Sequence, residues 1–176
     1  LCLFPFGYTI RTTSTIRTLL NLLKAAAMHE KLLKDPLFRK GLKVRKQVLG
    51  AGDIDQRIRD ADQYTIGHEE ITTKAAWGII WSRPGLTRKQ RSLLNLGILT
   101  ALHQPYELRH HIQAALRNGL TREEIAEAIL HCSVYCGIPR AAEARRAMQQ
   151  AFAEVDAGLV KAEKPAKQKT TVKKSR

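Results

Sequence analysis

Apolar residues between Met28 and Leu159 recur at helical spacing, and no stretch alternates with the period of two that a half-buried strand requires. The chain therefore reads as all-α. Glu30 to Leu49 places Leu33, Leu37, Leu42, Val44, Val48 and Leu49 at broadly helical intervals, interrupted at Pro36 and ended at Gly50-Ala51-Gly52. A second helix is expected from His68 to Trp81, stopped by Ser82-Arg83-Pro84-Gly85. Thr87-Arg88-Lys89-Gln90 and Thr121-Arg122-Glu123-Glu124 both have capping-box spacing, in which hydroxyl and N3 side chain satisfy each other's free backbone donors. Helices from about Arg88 to His103 and from Thr121 to Gly137 follow. Pro105 suits the first turn of another helix, which Asn118-Gly119 ends, and Pro139 opens a last one reaching about Ala157. Six helices joined by short connections predict a compact, bundle-like domain.

Two of these helices carry more than packing. Arg88 to His103 is apolar nearly all round (Leu93, Leu94, Leu96, Ile98, Leu99, Leu102), so it is expected to be buried on every side, part of it against another copy in a homo-oligomer. Arg91 falls beside Ile98 and Leu102, on what should be an inward face. A charge there either pairs with a structural carboxylate or holds an anion at a pocket wall. On the helix from Pro105, Leu108, Ile112, Ala115 and Leu116 form the core stripe. Glu107 and His111 flank that stripe on one side at i, i+4, about 260° and 300° from Leu108. Such a pair lets the carboxylate orient the imidazole and favour its protonated form, as a general acid requires. As a plain helix-surface pair it is worth only about 0.2–0.5 kcal/mol. His110 is expected to face solvent with Tyr106, Gln113 and Arg117.

Composition narrows the class. A chain of 176 residues with 44% hydrophobic content supports one domain with a real core, and no apolar run approaches the roughly 20 residues a membrane helix needs. The net charge of +14 suggests nucleic acid until it is placed: residues 160–176 hold seven Lys/Arg and one Glu, and residues 1–27 hold three basic residues and no acid. Only +5 remains on the body. Residues 1–27 read as a leader or non-native upstream segment expected to be disordered, 28–159 as the helical domain, and 160–176 as a basic disordered tail. Nucleic acid would be met only non-specifically, by that tail. Three cysteines, with Cys132 and Cys136 four apart, give no disulfide framework and no C-x-x-C pair, which points to a reducing, cytoplasmic setting. No Cys/His spacing suits a metal, and no phosphate loop, G-x-G-x-x-G or nucleophile elbow is present, so neither metal nor nucleotide cofactor is expected.

TTKAAWGIIWSRPGLTRKQRSLLNLGILTAL, YELRHHIQAALRNGLTREEI and VYCGIP, in that order, resemble the carboxymuconolactone decarboxylase family, in particular its 4-carboxymuconolactone decarboxylase branch. The resemblance covers about Lys31 to Phe152. It implies an AhpD-like all-helical fold, rings of subunits and a cofactor-free lyase of protocatechuate breakdown acting on a small dicarboxylate lactone. Relatives in the wider superfamily carry a C-x-x-C thiol pair and serve peroxide defence; Gln104 and Glu107 fill those places here. With the family chemistry in view, Arg91 and Arg83 are the expected anion holders, His111 the proton donor and Glu107 its orienter. Tyr135 is a weaker donor, and it and Trp81 complete the substrate-binding set. Arg140, Glu143, Arg145 and His110 depart from the small or apolar residues expected of the family. Two other functions compete: thiol chemistry at Cys132 or Cys136, and a helical binding module using the basic tail.

Overall fold

Every regular element in the computed structural model, which describes residues 9–160, is a helix. Residues 1–8 and 161–176, the start of the expected leader and nearly all of the expected tail, lie outside the described residues. The helices are α1 (Thr9–Lys34), α2 (Pro36–Leu49), α3 (Ala51–Asp60), α4 (Ile66–Ile71) running on as a π-helical stretch (Thr72–Ile80), α5 (Arg88–Ala101), α6 (Pro105–Arg117), α7 (Arg122–Cys136) and α8 (Ile138–Asp156). None of them is long and apolar enough to cross a membrane. Residues 9–27, expected to be disordered, are helical and continuous with the rest of α1 from Thr9 onward.

Residues 9–44 and 52–82 form one compact unit. The helix expected from Glu30 to Leu49 is two helices, because Asp35 caps a new start: its Oδ1 accepts from Leu37 N at 2.8 Å and Phe38 N at 3.0 Å, and Pro36 occupies the first turn. Gly50 (φ 101°) ends α2, and α3 follows at once, a helix the glycine-rich triplet concealed. Its Ile54 is buried in the core of this unit with Phe38, Ile66 and Trp77. Where α2 crosses the π-helical stretch the backbones nearly touch, since a Cβ on Gly41 would sit 2.0 Å from the Thr73 carbonyl oxygen and one on Gly78 only 3.0 Å from the Leu37 carbonyl oxygen. Gly41→Ala is therefore expected to destabilise the chain by about 1–3 kcal/mol or more, read as a lower midpoint in thermal unfolding by circular dichroism. An unchanged midpoint would refute this close approach.

Residues 45–51 and 83–160 form the second unit. Both capping boxes are present: Thr87 with Gln90 starts α5, and Thr121 with Glu124 starts α7. Gly119 (φ 92°) follows α6 and Gly137 (φ 88°) separates α7 from α8 in the left-handed backbone that favours glycine. The core joins Leu96 of α5, Leu108, Ile112 and Ala115 of α6, Ile125 and Ile129 of α7, and Ala144, Ala147 and Ala151 of α8. Those alanines let α8 come close enough to bury α6 on a second side. Hence Gln113 and Arg117, expected in solvent, are buried. Gln113 donates to Glu154 Oε2 at 2.5 Å, and Arg117 Nη1 donates to the Leu49 carbonyl at 2.9 Å. Conversely, α5 is not enclosed within this unit: Leu96 is buried, while Leu93, Leu94, Ile98 and Leu102 remain 44–62% exposed.

Candidate active site

On α5, Arg91, Asn95, Ile98 and Leu102 share one face, about 60° wide at 100° per residue. Arg91 is half-buried; its Nη2 donates to the Arg83 carbonyl at 3.1 Å, and its Nε is buried without a hydrogen-bond partner. No carboxylate among the described residues pairs with it. Of the two readings open to Arg91, the structural ion pair is therefore not made within the described residues, and the guanidinium keeps capacity for an external anion. The Arg83 side chain is exposed, and its backbone rather than its charge meets Arg91.

One turn along that face, Asn95 Nδ2 lies 3.4 Å from His111 Nδ1 on α6. Glu107 sits on the same side of α6 as His111, as the helical spacing implies, but it is exposed and forms no hydrogen bond to the ring. Its influence is through charge. Burial pushes the His111 pKa below the ordinary imidazole value; the attraction of Glu107 works against this and the neighbouring His110 adds to it. Glu107 favours the protonated ring, as its spacing implies, but desolvation outweighs this one exposed carboxylate and the net shift is downward. Asn95 is the neighbour that sequence reasoning missed. Its signal was a lone amide one turn after Arg91 in an otherwise apolar run.

The remaining candidates have other partners. His110 is half-buried rather than solvent-facing, its ring edge-on to Tyr106 at 4.7 Å and its Nε2 3.5 Å from Arg109 Nη2. Tyr135, 76% exposed near the end of α7, packs on His131 at 4.7 Å. Trp81 is 8% exposed and packs on Trp77 at 4.9 Å in the first unit. Arg140 donates to the Ala101 carbonyl at 2.9 Å and so caps α5, while Glu143 pairs with Arg146. These departures from the family pattern are thus occupied structurally.

A groove of about 970 Å³ runs along the opposite side of α5, lined by Leu93, Gly97, Leu120 and Ala128. Glu123, Glu124 and Glu127 also line it, and Lys89 answers only Glu124, at 2.7 Å. Volume favours the groove, but its charge repels the anions that Arg91 attracts, so the Arg91 face is the better candidate for anionic chemistry. Cys132 borders the same groove, and burial there pushes its thiol pKa up, away from the thiolate that redox chemistry uses. Among the described residues no three His, Cys, Asp or Glu side chains converge to hold a metal.

Comparison with known proteins supplies the class. The profile of the carboxymuconolactone decarboxylase family matches residues 68–150, which include α5, α6, α7 and most of α8. Nitrosuccinic acid decarboxylase of Metarhizium robertsii is 45% identical over 126 residues, 71% of this chain and 88% of that protein. The chain belongs to the carboxymuconolactone decarboxylase family. A second relative, the 4-carboxymuconolactone decarboxylase of Acinetobacter baylyi, is 36% identical over 118 residues, 67% of this chain and 88% of its own length. Both relatives are decarboxylases, and this member of the family is accordingly grouped with the carbon–carbon lyases.

Proposed function

We propose that the chain decarboxylates a dianion whose own acceptor group takes up the electrons released with CO2, and that 4-carboxymuconolactone is the substrate, giving the β-ketoadipate enol-lactone. The observation that carries this reading is the Arg91 guanidinium, without a carboxylate partner among the described residues, one turn from the Asn95–His111 contact. In the lactone the breaking C–C bond adjoins a conjugated C=C–C=O, so its electron pair passes into a dienolate. Protonation at the carbon alpha to the lactone carbonyl then completes the reaction. The substrate supplies the electron sink, so the protein has to hold a carboxylate, favour the developing oxyanion and deliver one proton. Arg91, assisted by Arg83, takes the first two tasks and His111 the third, with Glu107 a nearby negative charge that favours the charged ring. Chelators are expected to leave turnover intact.

Nitrosuccinic acid is a second reading, favoured by the 45% identity to the Metarhizium robertsii enzyme. Loss of its carboxylate beside the nitro group leaves a nitronate, which makes the same demands: a held carboxylate, a stabilised oxyanion and a proton on carbon. Initial rates of CO2 release with each compound separate the two. A higher kcat/KM for the lactone supports the first reading, a higher value for nitrosuccinate replaces it with the second, and no CO2 from either refutes both. The half-exposed apolar face of α5 further supports a homo-oligomer, for which sedimentation should give a mass above that of one 19.8 kDa chain.

The lowered His111 pKa sets a pH dependence. Imidazolium is the acid, so kcat/KM, which reports the free enzyme, should fall as pH rises through a value below about 6.5. A bound dianion favours imidazolium, so the corresponding limb of kcat should lie at higher pH. Glu107→Gln removes the attraction that opposes burial, and both limbs should move to lower pH. Limbs that stay in place would exclude Glu107 from this role.

A further inference from the structure

We propose that Asn95 is the positioning residue of His111, turning its side-chain amide so that it serves the ring in both protonation states. The inference deepens the decarboxylase reading and rests on it. An amide nitrogen can only donate, so with Asn95 Nδ2 facing His111 Nδ1 at 3.4 Å the ring nitrogen accepts and the neutral ring carries its proton on Nε2. Both nitrogens of imidazolium are donors, and Nδ2 can no longer face Nδ1. Rotation of the amide by about 180° brings Oδ1 into its place, along a terminal torsion whose wells are broad and two-fold. Aspartate could only accept here and leucine could do neither. The amide therefore holds the ring plane fixed through a change of charge.

The proton balance follows from that arrangement. In the charged ring Oδ1 accepts from Nδ1–H and Nε2–H faces the substrate. As CO2 departs, the electron pair of the broken C–C bond, delocalised into the acceptor, takes the Nε2 proton to form the new C–H bond. A neutral Nδ1–H ring remains, still held by Oδ1, and water recharges it at Nε2. The charges bearing on His111 are Glu107 and His110, both on α6 itself; from α5 it meets the neutral amide, and no titratable group of α5, α7 or α8 among the described residues acts on it. Asn95 is thus the cross-helix contact of the ring, made at Nδ1 and leaving Nε2 to the substrate.

Nitrogen-15 spectra of the six histidines in the full chain, with His111 assigned by its loss in His111→Gln, read the tautomer without any substrate. The neutral wild-type ring should show the Nε2–H form. Asn95→Asp should move it to Nδ1–H and carry the high-pH limb of kcat/KM upward. Asn95→Leu should leave the mixed tautomers of an unconstrained imidazole and cost about 10–100-fold in kcat with KM little changed. Shifts and limbs identical to wild type in both variants would overturn the proposal. A tautomer that responds while wild type releases no CO2 would count against the decarboxylase reading alone.

Discussion

His111→Ala is expected to reduce turnover by about 10²–10⁴, while His110→Ala stays near wild type. The two residues are adjacent in sequence, but about 100° of rotation sends them to different neighbours. His111 reaches Asn95 across the α5–α6 contact, whereas His110 packs on Tyr106 and lies beside Arg109. One small effect of His110→Ala is still expected. Its charge helps to lower the His111 pKa, so its removal should move the high-pH limb slightly upward. Steady-state rates with the preferred substrate across a pH series read both effects. Loss of turnover in His110→Ala instead would place the proton donor on the other side of α6.

Arg91→Ala should lower kcat/KM by about 10²–10³, the loss usual when one donor to a developing oxyanion is removed. Arg91→Lys keeps the charge but not the planar fork, and an intermediate loss of about 10-fold or more is expected from it. The fold should survive both changes, because the one hydrogen bond that Arg91 gives up is to the Arg83 carbonyl beside an exposed side chain. Circular dichroism and thermal unfolding check that point. A variant that loses stability and activity in parallel would make Arg91 a structural residue after all.

The helices of the second unit were legible because their ends are written in local chemistry: two capping boxes, Pro105 in a first turn, and glycines where the backbone turns left-handed. The first unit was less legible. Pro36 reads equally as an interruption or a start until Asp35 is seen capping it, and α3 offers few apolar positions after a glycine-rich triplet. At the site, helical spacing placed Glu107 and His111 on one side of α6, and a charge on an apolar helix singled out Arg91. What spacing could not reveal was the neighbour across the helix pair. Asn95 meets His111, Arg83 answers Arg91 through its backbone, and α8 covers Gln113 because its alanines permit close approach, all of which depend on tertiary packing. The net lowering of the His111 pKa has the same origin, since one helix reveals a neighbouring carboxylate but not the burial imposed by the others.

The proposed removal of CO2 and return of one proton to carbon is assigned to Arg91, Asn95 and His111 together. Its most direct test is the reaction in D2O with carboxyl-labelled 4-carboxymuconolactone and, separately, carboxyl-labelled nitrosuccinate, using the full chain and the His111→Ala variant. Labelled CO2 is expected from at least one substrate, with one deuterium on the carbon that receives the electron pair, and both signals should be reduced together in the variant. Labelled CO2 released by His111→Ala as fast as by wild type, or none released by a folded wild-type chain, would contradict this assignment.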